Sequence, residues 1–172
     1  MQVTMRKLAK PLLLGAIAAL LLSPARGSAA GAAVAVADFD YSDTSGEATD
    51  QTAEHGARMA IFAALLRDSL AQHDYRVVRP SCPQPACTAI SMAPADLVAA
   101  ARRDGARYLV YGGIRKMSTL VQWGEVQLFD VEREQLVMRR TVTFRGDTDT
   151  AFRRAADFVG ATVADAIKPP AP

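Results

Sequence analysis

Two cysteines, two histidines and one tryptophan in 172 residues, with aromatics at 6%, leave little room for chemistry that depends on those side chains. So few cysteines exclude a disulfide-framework protein, and 11 glycines with 9 prolines exclude a collagenous chain. The length excludes a large multidomain enzyme. Also missing are the Gly-x-Ser-x-Gly elbow of serine hydrolases, a phosphate-cradling glycine loop and the His-Glu-x-x-His helix of zinc proteases. The expectation is therefore no catalytic set, no metal and no cofactor. What is present, 50% apolar and 22% charged residues, suffices for one hydrophobic core and carries too little charge for disorder.

An apolar stretch from Pro11 to Leu22 follows Arg6, Lys7 and Lys10 and precedes a small-residue zone in which Ser28 and Ala30 satisfy the small-x-small rule. Residues 1–30 read as a secretory signal peptide. The stretch is shorter than the roughly 20 apolar residues that span a bilayer. The expectation is thus a mature protein in the periplasm, with no membrane anchor after cleavage. No cysteine precedes Cys82, which excludes a lipid-modified cysteine directly after the apolar stretch. The leader holds four basic groups (Arg6, Lys7, Lys10, Arg26) and no acidic one, so 20 basic against 18 acidic residues become 16 against 18. A formal charge of −2 excludes nucleic acid as a partner, because phosphate binding needs a basic excess.

Residues 31–168 read as a single α/β domain. Ala32 to Phe39 is an apolar run typical of a buried strand, and Asp40 to Asp50 is rich in turn residues. Met59, Phe62, Leu66 and Leu70 give a helical stripe over about residues 53–72. Tyr75 to Val78 is a short second strand. Pro94 opens a brief second helix that Gly105 ends. Arg107 to Ile114 is a third strand, apolar on both faces. Thr119 to Phe129 and Leu136 to Phe144 show period two and form a hairpin around residues 131–135. Asp147 or Asp149 offers a cap for a last helix marked by Phe152, Ala156, Val159, Val163 and Ile167. Residues 169–172 read as a disordered tail. The expected fold is an α/β sandwich of two or three layers with three helices. Its five-stranded mixed sheet has strand order 2-1-3-4-5 and runs strand, helix, strand, helix, strand, strand, strand, helix.

The segments VAVADFDYSDTSGE (Val34 to Glu47), LVAAARRDGARYLVYGGIRKMSTLVQWG (Leu97 to Gly124) and FRGDTDTAFRRAADF (Phe144 to Phe158) together resemble a bacterial family of small exported proteins, a domain of unknown function. The element order is similar to that of the N-terminal domain of TolB and of the periplasmic domain of curli-secretion lipoproteins. The resemblance implies a non-catalytic periplasmic accessory module with a protein partner. A quinoprotein dehydrogenase system and an envelope assembly complex are candidate partners.

Cys82 and Cys87, in a proline-rich loop of an oxidising compartment, read as a local disulfide. A redox pair or a zinc site is the sharper reading, but redox exchange wants two intervening residues and zinc wants two more N or S ligands. Asp38, Asp40, Asp43 and Glu47 cluster after strand 1, at the strand end where open α/β sheets place ligands. They are candidate ligand- or cation-binding residues, set against the plainer reading of a solvated loop. His55 stands near those carboxylates and is the nearest approach to an acid/base pair, but an exposed helix histidine explains it as well. His73 fits a partner for the negative end of the same helix. Trp123, Arg139 and Arg145 are candidate partner-binding residues, with a core aromatic and a solvent face as the bland alternatives. Arg145, Gly146 and Asp147 spell an adhesion tripeptide at a point where Asp147 is placed to cap a helix. Gly112 and Gly113, inside a strand, mark a bulge or a close backbone approach.

Overall fold

A computed structural model describes residues 31–83 and 86–167. The leader read at 1–30 and the tail read at 169–172 lie outside the described residues. Six strands and three helices follow in the order β1 (Gly31–Val36), β2 (Asp40–Asp43), α1 (Thr52–Gln72), β3 (Tyr75–Val78), α2 (Pro94–Arg103), β4 (Tyr108–Lys116), β5 (Val121–Asp130), β6 (Gln135–Arg145) and α3 (Asp149–Ile167). They build one mixed sheet of order β3-β1-β4-β5-β6, with β2 paired to β4. The α/β sandwich and the order of its five principal strands match the reading of the sequence. β1 runs parallel to β3 and β4, and β4, β5 and β6 form an antiparallel meander.

The sixth strand corrects the expectation that residues 40–50 are turn throughout. β1 pairs only with Tyr108 to Val110 of the nine-residue β4, which leaves the far half of that strand open on the edge opposite β5. After a break at residues 37–39 the chain returns, and Asp40 to Asp43 pair in parallel with Gly113 to Lys116. Unmet backbone groups on β4 outweigh the poor strand propensity of Asp and Ser. Asp40 can lie this close because a side chain at Gly113 would press on its Cβ, and one at Gly112 would run into the carbonyl oxygen of Glu125 on β5. The glycine pair therefore serves close backbone approach.

α1 and α3 cover one face of the sheet. Met59, Phe62, Leu66 and Leu70 of α1 and Phe152, Ala156, Val159 and Val163 of α3 pack on Val34, Val36, Val110, Val126 and Leu128. α2 covers the other face with Leu97 and Ala101 against Ala35, Ala37 and Leu109. Ten residues of α2 reach only the β3-β1-β4 end. The sandwich thus has three layers there and two layers under β5 and β6. α2 starts with Pro94 and stops at Gly105 (φ 71°), as read. For α3 the capping contact comes from Thr148, whose Oγ1 accepts the Ala151 N–H at 3.3 Å, and from neither aspartate proposed for it.

α1 and α3 cross where Gly160 meets Ser69, and a methyl group at Gly160 would collide with the serine side chain. Helix propensity alone makes Gly160→Ala stabilising by about 1 kcal/mol. Packing reverses the sign, so Gly160→Ala lowers the thermal midpoint and Ser69→Gly in the same chain restores it. A rise in the midpoint of the single variant would contradict this packing.

Candidate functional site

The acidic residues after β1 do not converge on one point. Asp38 faces Arg67 of α1 (3.1 Å) and Arg79 beyond β3 (2.9 Å), and its Oδ2 accepts the Cys87 N–H at 3.2 Å. Its own N–H donates to the Cys87 carbonyl at 2.9 Å. Burial alone would raise the Asp38 carboxyl, but Arg79, the Cys87 amide and Arg67 outweigh it and hold it below the usual carboxylate range. Asp40 accepts the Ile90 N–H at 3.2 Å. These two aspartates latch the loop that Cys82 and Cys87 close as a disulfide, with Cα atoms 5.7 Å apart. Asp43 and Glu47 turn the other way, toward Lys116. Among the described residues no group of three His, Cys, Asp or Glu side chains is placed to hold a metal ion.

Lys116 is the centre of the second set. Its position on β4 shares a face with Val110 and Ile114, so the strand carries the side chain into the core side, where it is 1% exposed. Nζ donates to Glu47 Oε2 and Gln51 Oε1, both at 2.6 Å, and to Asp147 Oδ2 at 2.8 Å. Asp147 also takes Arg58 Nη1 at 2.6 Å and His55 Nε2 at 2.9 Å. An ionised Asp147 can only accept, so Nε2 carries the shared proton. Burial would raise Asp147, but hydrogen bonds from Lys116 and His55 outweigh it and its carboxyl stays below the usual range. Burial would lower Lys116, but Asp147 and Glu47 outweigh that and hold its ammonium above the usual range. Gln122, fully buried, lies directly opposite Lys116 on β5.

His55 is thus 2% exposed rather than a surface histidine, and its partner is Asp147, not the acidic run. It sits on the apolar stripe of α1, four residues before Met59, and the Tyr41 ring stacks on it at 4.4 Å between centroids. Burial, with Asp147 and Asp43 close by, pushes the Tyr41 phenol well above its ordinary value. An open cavity of about 490 Å³, lined by Tyr41, Asp43, Glu47, Gln51 and His55 among others, adjoins the network. Each carboxylate at its wall already faces a cation or an amide, and the arrangement acts as a lock between β2, α1, β4 and the start of α3. Asp147 is held inside that lock, so the adhesion tripeptide presents no free carboxylate. His73 stands at the C-terminal cap of α1.

Trp123, Arg139 and Arg145 fall on one face of the sheet, the face that α2 leaves uncovered. Trp123 is half-buried and lines a cavity of about 250 Å³ with Tyr111, Arg115 and Ile90, the last 80% exposed. Beside it runs a polar ladder: Tyr111 Oη donates to Gln127, Gln127 Nε2 donates to Glu125, and Arg139 lies 3.5 Å from Glu125. Around the edge of β6 lies a larger groove of about 840 Å³ between that strand and α3. Val142, Phe144, Ala155 and Phe158 supply its apolar lining, and Arg139, Arg140, Arg145 and Arg154 supply its charge.

Lys116, Arg58, Gln51 and the α3 side of the groove were missed from sequence. A signal for two of the network residues existed. Lys116 repeats the period-two face of Val110 and Ile114, and His55 repeats the helical stripe of Met59 and Phe62, so each was a polar residue on a core-facing pattern.

A family profile described as "Protein of unknown function (DUF2380)" matches residues 32–161. No curated protein matches the chain in sequence. Several solved structures share the fold. TolB from Acinetobacter baumannii is 18% identical with a TM-score of 0.50, over 80% of this chain and 28% of that one. The chain therefore corresponds to little more than a quarter of TolB. A PelC dodecamer from Paraburkholderia phytofirmans is 19% identical with a TM-score of 0.50, over 82% of this chain and 92% of that one. The hypothetical protein CT253 from Chlamydia trachomatis is 11% identical with a TM-score of 0.52, over 80% and 98%. Among the described residues no helix is long and apolar enough to cross a membrane.

The lock makes stability depend on pH with a definite sign. A depressed Asp147 carboxyl contributes stability that is present above the ordinary aspartate value of about 3.9 and is lost as pH falls below it. Asp147→Asn should therefore reduce the loss of unfolding free energy between pH 7 and pH 3 in urea titrations, leaving the share that Asp38 carries. Lys116→Met, which leaves Glu47 without its cation and takes one of three partners from Asp147, should cost about 3 kcal/mol at pH 7. An unchanged pH dependence in Asp147→Asn would show that the lock does not govern acid stability.

Proposed function

The chain belongs to the family of proteins of unknown function whose profile matches residues 32–161, and from that premise we propose that it is a non-catalytic, exported module that docks a protein partner on the open edge of β6. The observation that carries this reading is the asymmetry of the sheet's two edges. β3 is four residues long and is followed at once by Arg79 and Pro80, the kind of short edge that discourages pairing. β6 is eleven residues long, ends the sheet, and has no strand or helix hydrogen-bonded to its far side among the described residues. Its neighbour on α3, Phe158, is 50% exposed. Long exposed edges beside apolar grooves are where proteins accept a strand from a partner.

A docking role also fits the chemistry of the interior. The only histidine inside the fold is committed to Asp147, and the carboxylates of the acidic run serve as latches for the disulfide loop and for Lys116. The leader at 1–30 directs the chain to the periplasm in this reading, residues 31–168 being the working domain. The partner belongs to the cell envelope.

A photo-reactive benzoylphenylalanine replacing Thr143 on the β6 edge should give a discrete cross-linked adduct in the periplasm. The same group replacing Arg103 on α2 should not. The intact mass of the recovered chain should correspond to loss of the leader and of two hydrogens at the disulfide. Monomer alone at both positions would dismiss β6 as the docking edge.

A further inference from the structure

The groove along β6 has a charge of one sign. Arg139, Arg140, Arg145 and Arg154 line it, and no Asp or Glu does. The mature chain is acidic by two charges, so this is a local concentration and not a reflection of composition. Arg139 is partly engaged, lying 3.5 Å from Glu125. Among the described residues Arg140, Arg145 and Arg154 have no carboxylate within 4 Å. Between the arginines the lining is apolar or hydroxylic, with Val142, Phe144 and Phe158 beside Thr141 and Thr143. Alternation along β6 sends Arg140, Val142 and Phe144 to the α3 side and Arg139, Thr141, Thr143 and Arg145 to the other, so both flanks of the free edge are cationic.

Arginines on an edge strand discourage wrong pairing, and that alone would account for one or two of them. It does not account for an apolar groove left open between them. Resting on the docking role given above, we propose that the groove accepts an extended acidic segment of a partner protein. The segment adds as a strand to the free edge of β6. Its apolar side chains lie on Val142, Phe144 and Phe158 on the α3 side, and its carboxylates, at the alternate positions, meet Arg139 and Arg145 on the other side. The backbone of β6 offers unpaired N–H and C=O groups, which supply affinity without sequence preference. The planar guanidinium fork matches a carboxylate with two hydrogen bonds, which supplies the choice of charge. A second copy of this chain is a poor occupant of the same edge. Pairing β6 with β6 sets arginines against arginines, and like charges facing each other across strands destabilise the pair.

The test uses the purified exported chain and a short fluorescein-labelled peptide that alternates glutamate with valine and phenylalanine. Anisotropy should rise to saturation with this peptide and stay flat with its lysine counterpart. N-methylation of alternate backbone nitrogens, on the face that would pair with β6, should weaken binding by about tenfold or more. Arg139→Glu with Arg145→Glu should do the same, with the circular dichroism spectrum unchanged. Polyglutamate without apolar residues should bind at least about tenfold more weakly.

Equal binding of polyglutamate, or indifference to the arginine reversals or to N-methylation, would overturn the proposal. So would a chain that sediments as a dimer and is made monomeric by Thr143→Pro. The two readings fail separately. An adduct at Thr143 in the periplasm together with no acidic-peptide binding overturns the acidic occupant while the docking edge stands. No adduct at Thr143 removes the edge itself.

Discussion

The ammonium of Lys116 ties together three separate parts of the chain. Glu47 comes from the segment after β2, Gln51 from the start of α1, and Asp147 from the turn before α3. A buried cation has to be matched, because removing either partner leaves an uncompensated charge in a medium of low polarizability. That requirement fixes where the chain must be at three separate points, and Arg58 and His55 extend it by claiming the remaining valences of Asp147. Apolar contacts supply most of the driving force for folding, but they are not directional. The charge network is directional, and it sets how α1 and α3 begin relative to the end of β4.

The same arrangement decides what is left open. With the N-termini of α1 and α3 tied to β4, α3 packs on β6 and a groove remains between them. On the opposite face α2 has only ten residues, and the small side chains of Ala35 and Ala37 draw it toward the centre of the sheet. β5 and β6 are therefore covered on the α1/α3 face and bare on the other. Trp123, Tyr111, Arg139 and Arg145 lie on that uncovered face, and the arginine-lined groove lies at its rim. The open edge proposed for docking is a consequence of unequal coverage, not of a dedicated loop.

The acidic run after β1 shows how a cluster in sequence can dissolve in space. Asp38 and Asp40 belong to the disulfide loop, while Asp43 and Glu47 belong to Lys116. The residues are separated because β2 resumes pairing on β4 and alternates successive side chains across the sheet. A strand reading of Asp40 to Asp43 was not available from propensity, since its cause lies in the open edge of a strand more than 60 residues later.

Taken alone, the amino-acid order settled eight of the nine elements among the described residues, the order of the five principal strands, the core stripes of all three helices and the pairing of the two cysteines. Each depends on periodicity, on turn chemistry or on nearness along the chain. Tertiary structure alone decided that His55 is buried against Asp147, that Lys116 is the hub of a charge network, and that four arginines from β6 and α3 line one groove. The charge pairs among those facts join residues 31 to 92 positions apart, and no local pattern encodes which distant carboxylate a buried cation will find. Local periodicity says only which face a side chain takes, and the fold says what stands opposite it.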